Sequence, residues 1–187
     1  MKMSSEILRR YADLLDYPGG GAAAEPEVQM SMVAADCPPA AEALAEFARF
    51  AAESDRARME EAYTATFDLR PVCSPYVGYH LCGEGYQRSR FLVKLQEIYR
   101  RHGFAVEGEL ADHFPAVLRF LARVGDEREA RELALDGLLP ALEKSLAAFE
   151  EPSPYGELIR SLQLWLAGSL ERAEAQPAVA PQEESVP

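Results

Sequence analysis

The period of the apolar residues constrains this chain more than any other feature. Phe91, Leu92, Leu95, Ile98 and Tyr99 stand at i, i+1, i+4, i+7 and i+8, one face of a 3.6-residue helix. Gly103 follows where a helix end favours a left-handed residue. The same period recurs elsewhere. Ile7, Leu8, Tyr11, Leu14 and Leu15 share a face near the start. Leu44, Phe47 and Phe50 lie on a helix predicted from Pro39 to about Ser54. Met59, Ala62, Tyr63, Thr66 and Phe67 follow Asp55, a capping residue. Phe114, Val117, Leu118, Leu121 and Val124 mark a helix expected from Asp112 onward. Leu135, Leu138, Leu139, Leu142, Leu146 and Phe149 mark a long one, which Pro140 should kink or split. Tyr155, Leu158, Ile159, Leu162, Trp165 and Leu166 mark the last. Ser74-Pro75 and Ser153-Pro154 both read as helix starts, Ser as cap and Pro at the first helical position. No segment alternates with a period of two. The expected fold is all-α, a single-domain bundle of about eight helices over residues 1–172.

Two segments fall outside that pattern. Residues 18–38 are rich in Gly, Ala, Pro and Met without a period, and a long loop or mobile segment is expected there. Residues 173–187, rich in Ala, Pro, Gln and Glu, are expected to form a disordered tail.

Charge and rare residues exclude several functions. The 187 residues carry 19 Lys+Arg against 31 Asp+Glu, a net charge of −12. A nucleic-acid partner is therefore not expected, because phosphates call for a basic face. No run approaches the roughly 20 apolar residues of a membrane span, and Glu6, Arg9 and Arg10 break the first apolar stretch, unlike a secretory signal. Cys37, Cys73 and Cys82 form no CxxC. These features predict a reduced, cytoplasmic setting with no metal or other cofactor. No HExxH motif or nucleotide-binding glycine loop is present. A small helical metal-dependent hydrolase, using His80, His102, His113 and nearby carboxylates, is the alternative from a different class.

Three groups of residues can carry recognition chemistry. Tyr76, Tyr79, His80 and Gly83 stand at i, i+3, i+4 and i+7, one face of a short helix. Such a stripe either lines a groove with polar-tipped aromatics or is a buried face whose hydroxyls find internal partners. Arg88, Arg90, Lys94, Arg100 and Arg101 surround the next helix, as a solvated face or an anion-contacting edge. Glu107, Glu109 and Asp112 cluster beside His113 ahead of a helix. They either favour the helix N-terminus or receive a guanidinium or ammonium.

Tyr63-Thr64-Ala65-Thr66-Phe67-Asp68-Leu69, Ser74-Pro75-Tyr76-Val77-Gly78-Tyr79-His80 and Gly83-Glu84-Gly85-Tyr86-Gln87-Arg88 resemble the NarJ branch of the TorD/DmsD/NarJ chaperones. Glu109-Leu110-Ala111-Asp112-His113-Phe114-Pro115-Ala116-Val117-Leu118-Arg119-Phe120 resembles the family signature around an acidic residue and an Asp-His pair. Leu110 stands where the family often has proline. The resemblance implies a non-catalytic cytoplasmic chaperone. Its partner would be the apo catalytic subunit of a molybdoenzyme, respiratory nitrate reductase or another enzyme with a twin-arginine leader. The chaperone would bind the basic N-terminal leader and hold the subunit until its molybdenum cofactor is inserted. Residues carried over for peptide binding are Tyr76, Tyr79, His80, Arg88, Arg90, Glu109, Asp112 and His113, with Glu107 and Phe114 completing an anionic rim and apolar wall. A monomer or a dimer swapped through the 18–38 segment is expected.

Overall fold

The computed structural model describes residues 3–19, 25–68, 71–124 and 128–175. Ten α-helical segments and one π turn follow in order: α1 (Ser5–Leu14), α2 (Pro26–Ala34), α3 (Pro38–Ala52), α4 (Arg56–Phe67), α5 (Val77–Cys82), α6 (Tyr86–Arg101), α7 (Phe114–Val124), α8 (Arg128–Glu132), the π turn Leu133–Leu138, α9 (Leu139–Leu146) and α10 (Pro154–Ala175). The expected all-α bundle is the observed one. Among the described residues the sole extended pairing is an isolated antiparallel bridge between Tyr76 and His113.

The helix caps follow the residues that favour them. Ser4 accepts from the Ile7 N–H at 3.4 Å and Asp55 from the Arg58 N–H at 2.9 Å. α10 packs on α3, α3 on α2, and α1 on α7. Trp165, Tyr11, Tyr155, Phe47, Phe114 and Phe120 are the largest fully buried side chains. Each such burial contributes about 1.5–3 kcal/mol. Three helices are also tied by a buried hydroxyl chain. Ser161 Oγ donates to the Ala40 carbonyl at 2.7 Å. Its one proton is thereby used, so Tyr11 OH donates to Ser161 at 2.6 Å.

Three expectations need correction, and the one at Pro140 does not. The 18–38 segment contains α2, whose Pro26 occupies the first turn. Its inward side chains are Gln29 and Val33, and Gln29 donates to the Ile7 carbonyl at 3.2 Å. Residues 20–24 lie outside the described residues. Ser74-Pro75 does not open a helix. α5 begins at Val77 after an extended Tyr76, and the carbonyl of Pro75 accepts the Phe114 N–H at 2.9 Å. The Ser153 counterpart does behave as a start, its carbonyl accepting the Glu157 N–H at 2.9 Å ahead of α10. Pro140 stands, as expected, where the regular α-helical run is interrupted. A π turn precedes it, with the Leu139 N–H bonded to the Ala134 carbonyl, and Pro140 then sits in the first turn of α9, where no N–H is required. α10 continues to Ala175, past the expected tail boundary, and residues 176–187 lie outside the described residues.

Candidate functional site

The loop between α6 and α7 closes against the segment leading into α5, and the two strands of chain are stitched together. Val77 N–H donates to the Asp112 carbonyl at 2.8 Å, and Gly78 N–H to the Asp112 carboxylate at 3.1 Å. Tyr99 OH donates to the Ala111 carbonyl at 2.9 Å. The helix expected from Asp112 begins at Phe114 instead, because Asp112 and His113 are held by these cross-chain bonds.

Asp112 is 0% exposed. Its carboxylate receives Arg88 Nε at 3.0 Å and Nη2 at 3.3 Å, a two-pronged guanidinium pairing that compensates the loss of water. Gly78 makes the approach possible, since a Cβ there would lie 2.7 Å from Asp112 Oδ2 and 2.9 Å from Phe91. The Arg88 guanidinium also lies 5.0 Å from the Tyr76 ring centre. The expectation that Asp112 stands open to a ligand is therefore corrected: it is an interior charge already matched by Arg88.

His113 is 5% exposed, and its ring lies 5.5 Å from that of Tyr76. Burial lowers its pKa below the ordinary histidine value, and the nearby Glu109, Asp16 and Asp112 offset that only in part. Tyr76 OH donates to Glu109 Oε2 at 3.1 Å, while burial first and that carboxylate second push the phenol up to about 12. Glu109 and Glu107 are exposed.

The aromatic stripe does not share one face. Tyr76 caps α5 in extended backbone and turns to His113, whereas Tyr79 is 40% exposed. His80 stacks on Phe114 with ring centres 5.9 Å apart. Phe114 is fully buried, so its expected place on an open wall is corrected too. Arg90 is exposed and lies 6.0 Å from the Tyr86 ring centre, away from the Asp112 pair.

Four further residues, not among the expected site residues, lie in this part of the fold. Tyr63, on α4, has its phenol pKa raised by burial and then by Asp16, Glu109, Tyr76 and Asp68. Tyr17, half exposed, meets the Tyr63 ring edge-on at 5.4 Å. Asp16 accepts from Arg119 at 2.7 Å, and Asp13 does so at 3.1 Å. Tyr17 thus meets the buried Tyr63, and Tyr76 meets the buried His113 and the exposed Glu109. The signal that could have found the α1 end is Asp13 and Asp16 at the end of a helix whose face carries Tyr11 and Leu14.

Catalytic and metal chemistry finds little to work with. Cys73 Sγ lies 3.8 Å from His80 Nε2, but that nitrogen also lies 2.7 Å from the Ser74 carbonyl, which can only accept. The proton therefore sits on Nε2, which cannot serve as a base to the thiol. Burial pushes the Cys73 thiol up to about 12. His102 is engaged by Glu129 at 2.9 Å. Among the described residues no three His, Cys, Asp or Glu converge as metal ligands, and no described helix is long and apolar enough to cross a membrane.

Comparisons with known proteins agree with this architecture. A crystal structure of a candidate redox enzyme maturation protein from Archaeoglobus fulgidus superposes with a TM-score of 0.59 at 21% identity, covering 87% of this chain and 93% of that one. At that identity the likeness is one of fold. No curated protein matches the chain significantly. The model of the nitrate reductase delta subunit family matches residues 34–160. That span includes α3 through α9 and both segments joined at Asp112. The chain therefore belongs to the nitrate reductase delta subunit family, a family of NarJ/TorD-type chaperones that serve molybdoenzyme maturation and are not enzymes.

Proposed function

We propose that this protein is a NarJ-branch chaperone that binds the N-terminal leader of the apo catalytic subunit of respiratory nitrate reductase. It keeps that subunit open to cofactor insertion in the cytoplasm. The observation that carries this reading is the surface around His113. Glu109 is exposed and bonded to Tyr76, a partly exposed polar-tipped aromatic, and Tyr17 and Tyr79 carry further exposed phenol faces. A leader has a basic start followed by an amphipathic stretch. Its cations would meet Glu109 and Glu107, and its apolar side chains would lie on the phenol faces and on Tyr79. Asp112 and Arg88 act indirectly by fixing the loop that carries Glu109 and His113. The chain's net charge of −12 favours the encounter. Ordering the leader on binding spends part of the interaction energy, leaving an affinity compatible with release.

Titration of the protein with a synthetic N-terminal peptide of a nitrate reductase catalytic subunit tests this. Saturable binding that Glu109→Gln weakens while the melting temperature holds supports the reading. Binding that Glu109→Gln and Tyr76→Phe both leave unchanged moves the peptide elsewhere. Equal or tighter binding of a leader from another molybdoenzyme reassigns the client.

A further inference from the structure

α6 is a long helix with little of itself inside the fold. It packs against α5, yet only Leu95 and Tyr99 of its 16 residues are buried. Its outer side is ordered. Tyr86, Arg90, Val93, Glu97 and Arg100 stand at i, i+4, i+7, i+11 and i+14, and all five are exposed. That spacing repeats every 3.5 residues on average, the interval at which one helix receives the side chains of another laid along it. Tyr86 is 75% exposed and Val93 58% exposed. They border a shallow hollow of about 300 Å³, shared with Ser89, Arg90, Lys94 and Glu97. A helix of this length offers a strip about 24 Å long.

The strip is also charged against the rest of the chain. Two of the α6 cations are used internally, Arg88 by Asp112 and Arg101 by Glu129. Arg90, Lys94 and Arg100 make no ion pair among the described residues, and the Arg90 guanidinium lies 6.0 Å from the Tyr86 ring centre. The exposed side of α6 therefore carries three cations against one carboxylate, Glu97, in a protein of net charge −12.

We propose that the outer face of α6 is a docking surface for an acidic amphipathic helix of a second protein. Apolar side chains of that helix would lie on Tyr86 and Val93, and its carboxylates would meet Arg90, Lys94 and Arg100. Charge complementarity selects this occupant. A second copy would bring two cation-rich strips together. The basic leader carries the same sign as the strip and belongs at Glu109. An anionic bilayer would confront the whole of a molecule carrying −12, whereas a single helix lies within the strip. A contact of one helix face is at the small end of specific interfaces, so the association is weak and reversible. The proposal is independent of leader binding.

The experiment titrates the full chain with a fluorescein-labelled synthetic helix of about three heptads, leucine at the two seam positions and glutamate at those flanking them. A counterpart carries lysine in place of glutamate. The acidic peptide is expected to bind saturably, to weaken with salt, and to shift the amide resonances of residues 86–100 more than any others. The lysine peptide should bind at least about tenfold more weakly. Arg90→Glu with Lys94→Glu should reverse that preference, and Val93→Asp should weaken the acidic peptide about fivefold. All three residues are exposed, so the melting temperature should hold. Equal binding of the two peptides, a preference that survives the charge reversal, or resonance shifts centred elsewhere would overturn the proposal. A dimer of the chain alone that Val93→Asp dissociates would assign the strip to a second copy and overturn it. So would binding to phosphatidylglycerol vesicles, abolished by the charge reversal, in a chain that ignores the acidic peptide.

Discussion

The carboxylate of Asp112 is wholly buried and meets the guanidinium of Arg88 through two bonds, of 3.0 and 3.3 Å. The pair locks the Glu109–His113 loop onto the start of α5. Asp112 thereby becomes a support for its exposed neighbour Glu109 rather than a ligand contact.

Removing one partner strands the other. Arg88→Met is expected to destabilise the fold by about 3 kcal/mol, because Asp112 is then an uncompensated interior charge. Arg88→Met with Asp112→Leu should recover part of that loss. Urea unfolding of the single and double variants measures the coupling, and simple additivity would show that the pair is not the lock described here.

Gly78→Ala tests the same junction sterically. Its new methyl group would sit 2.7 Å from Asp112 Oδ2. A loss of about 1–3 kcal/mol is expected, together with a shift in the amide resonances of residues 109–113. A variant as stable as the parent would mean that the loop can retreat at little cost.

Acid should weaken both stability and leader binding. Burial lowers the pKa of His113 and of His80, so the folded protein holds fewer protons than the unfolded chain between the folded values and about 6.5. Their contribution is fully present above about pH 6.5 and is lost as pH falls toward the folded values. A protonated His113 also repels a cationic ligand beside Glu109. Binding affinity is expected to fall between pH 7.5 and about pH 5.5, and a His113→Gln variant should flatten that slope. Slopes identical in parent and variant would place the pH dependence elsewhere.

The hydroxyl chain at Ser161 provides a control remote from the site. Ser161→Ala leaves Tyr11 OH and the Ala40 carbonyl without their partner, and a cost of about 1–3 kcal/mol is expected. Peptide affinity at a temperature where the variant is folded should be unchanged.

The helices were legible wherever one apolar face faces the core. α1, α6, α7 and α10 follow that pattern closely. α2 was not, because its inward residues are Gln29 and Val33 on a short helix, and an amide in the core, donating to the Ile7 carbonyl, leaves no apolar period. The Ser-Pro pairs look alike in sequence. Yet Ser153-Pro154 opens a helix, while Ser74-Pro75 supplies a carbonyl to Phe114, a choice made by tertiary pairing across more than thirty residues. At the site, residue chemistry pointed to the α5 and α6–α7 segments, and the Tyr76–His113 bridge joins them. Depth was not readable. Nothing local distinguishes the buried Asp112 from the exposed Glu109. The placement of Asp16 beside Arg119 depends on packing between segments about a hundred residues apart.

The most direct measurement is isothermal titration of the wild-type chain and Glu109→Gln with the N-terminal leader peptide of a nitrate reductase catalytic subunit, at low and high salt. The account predicts one-to-one binding to the parent that falls with salt, weakened about tenfold by Glu109→Gln with the fold intact. Salt-independent binding that is indifferent to Glu109 would contradict it.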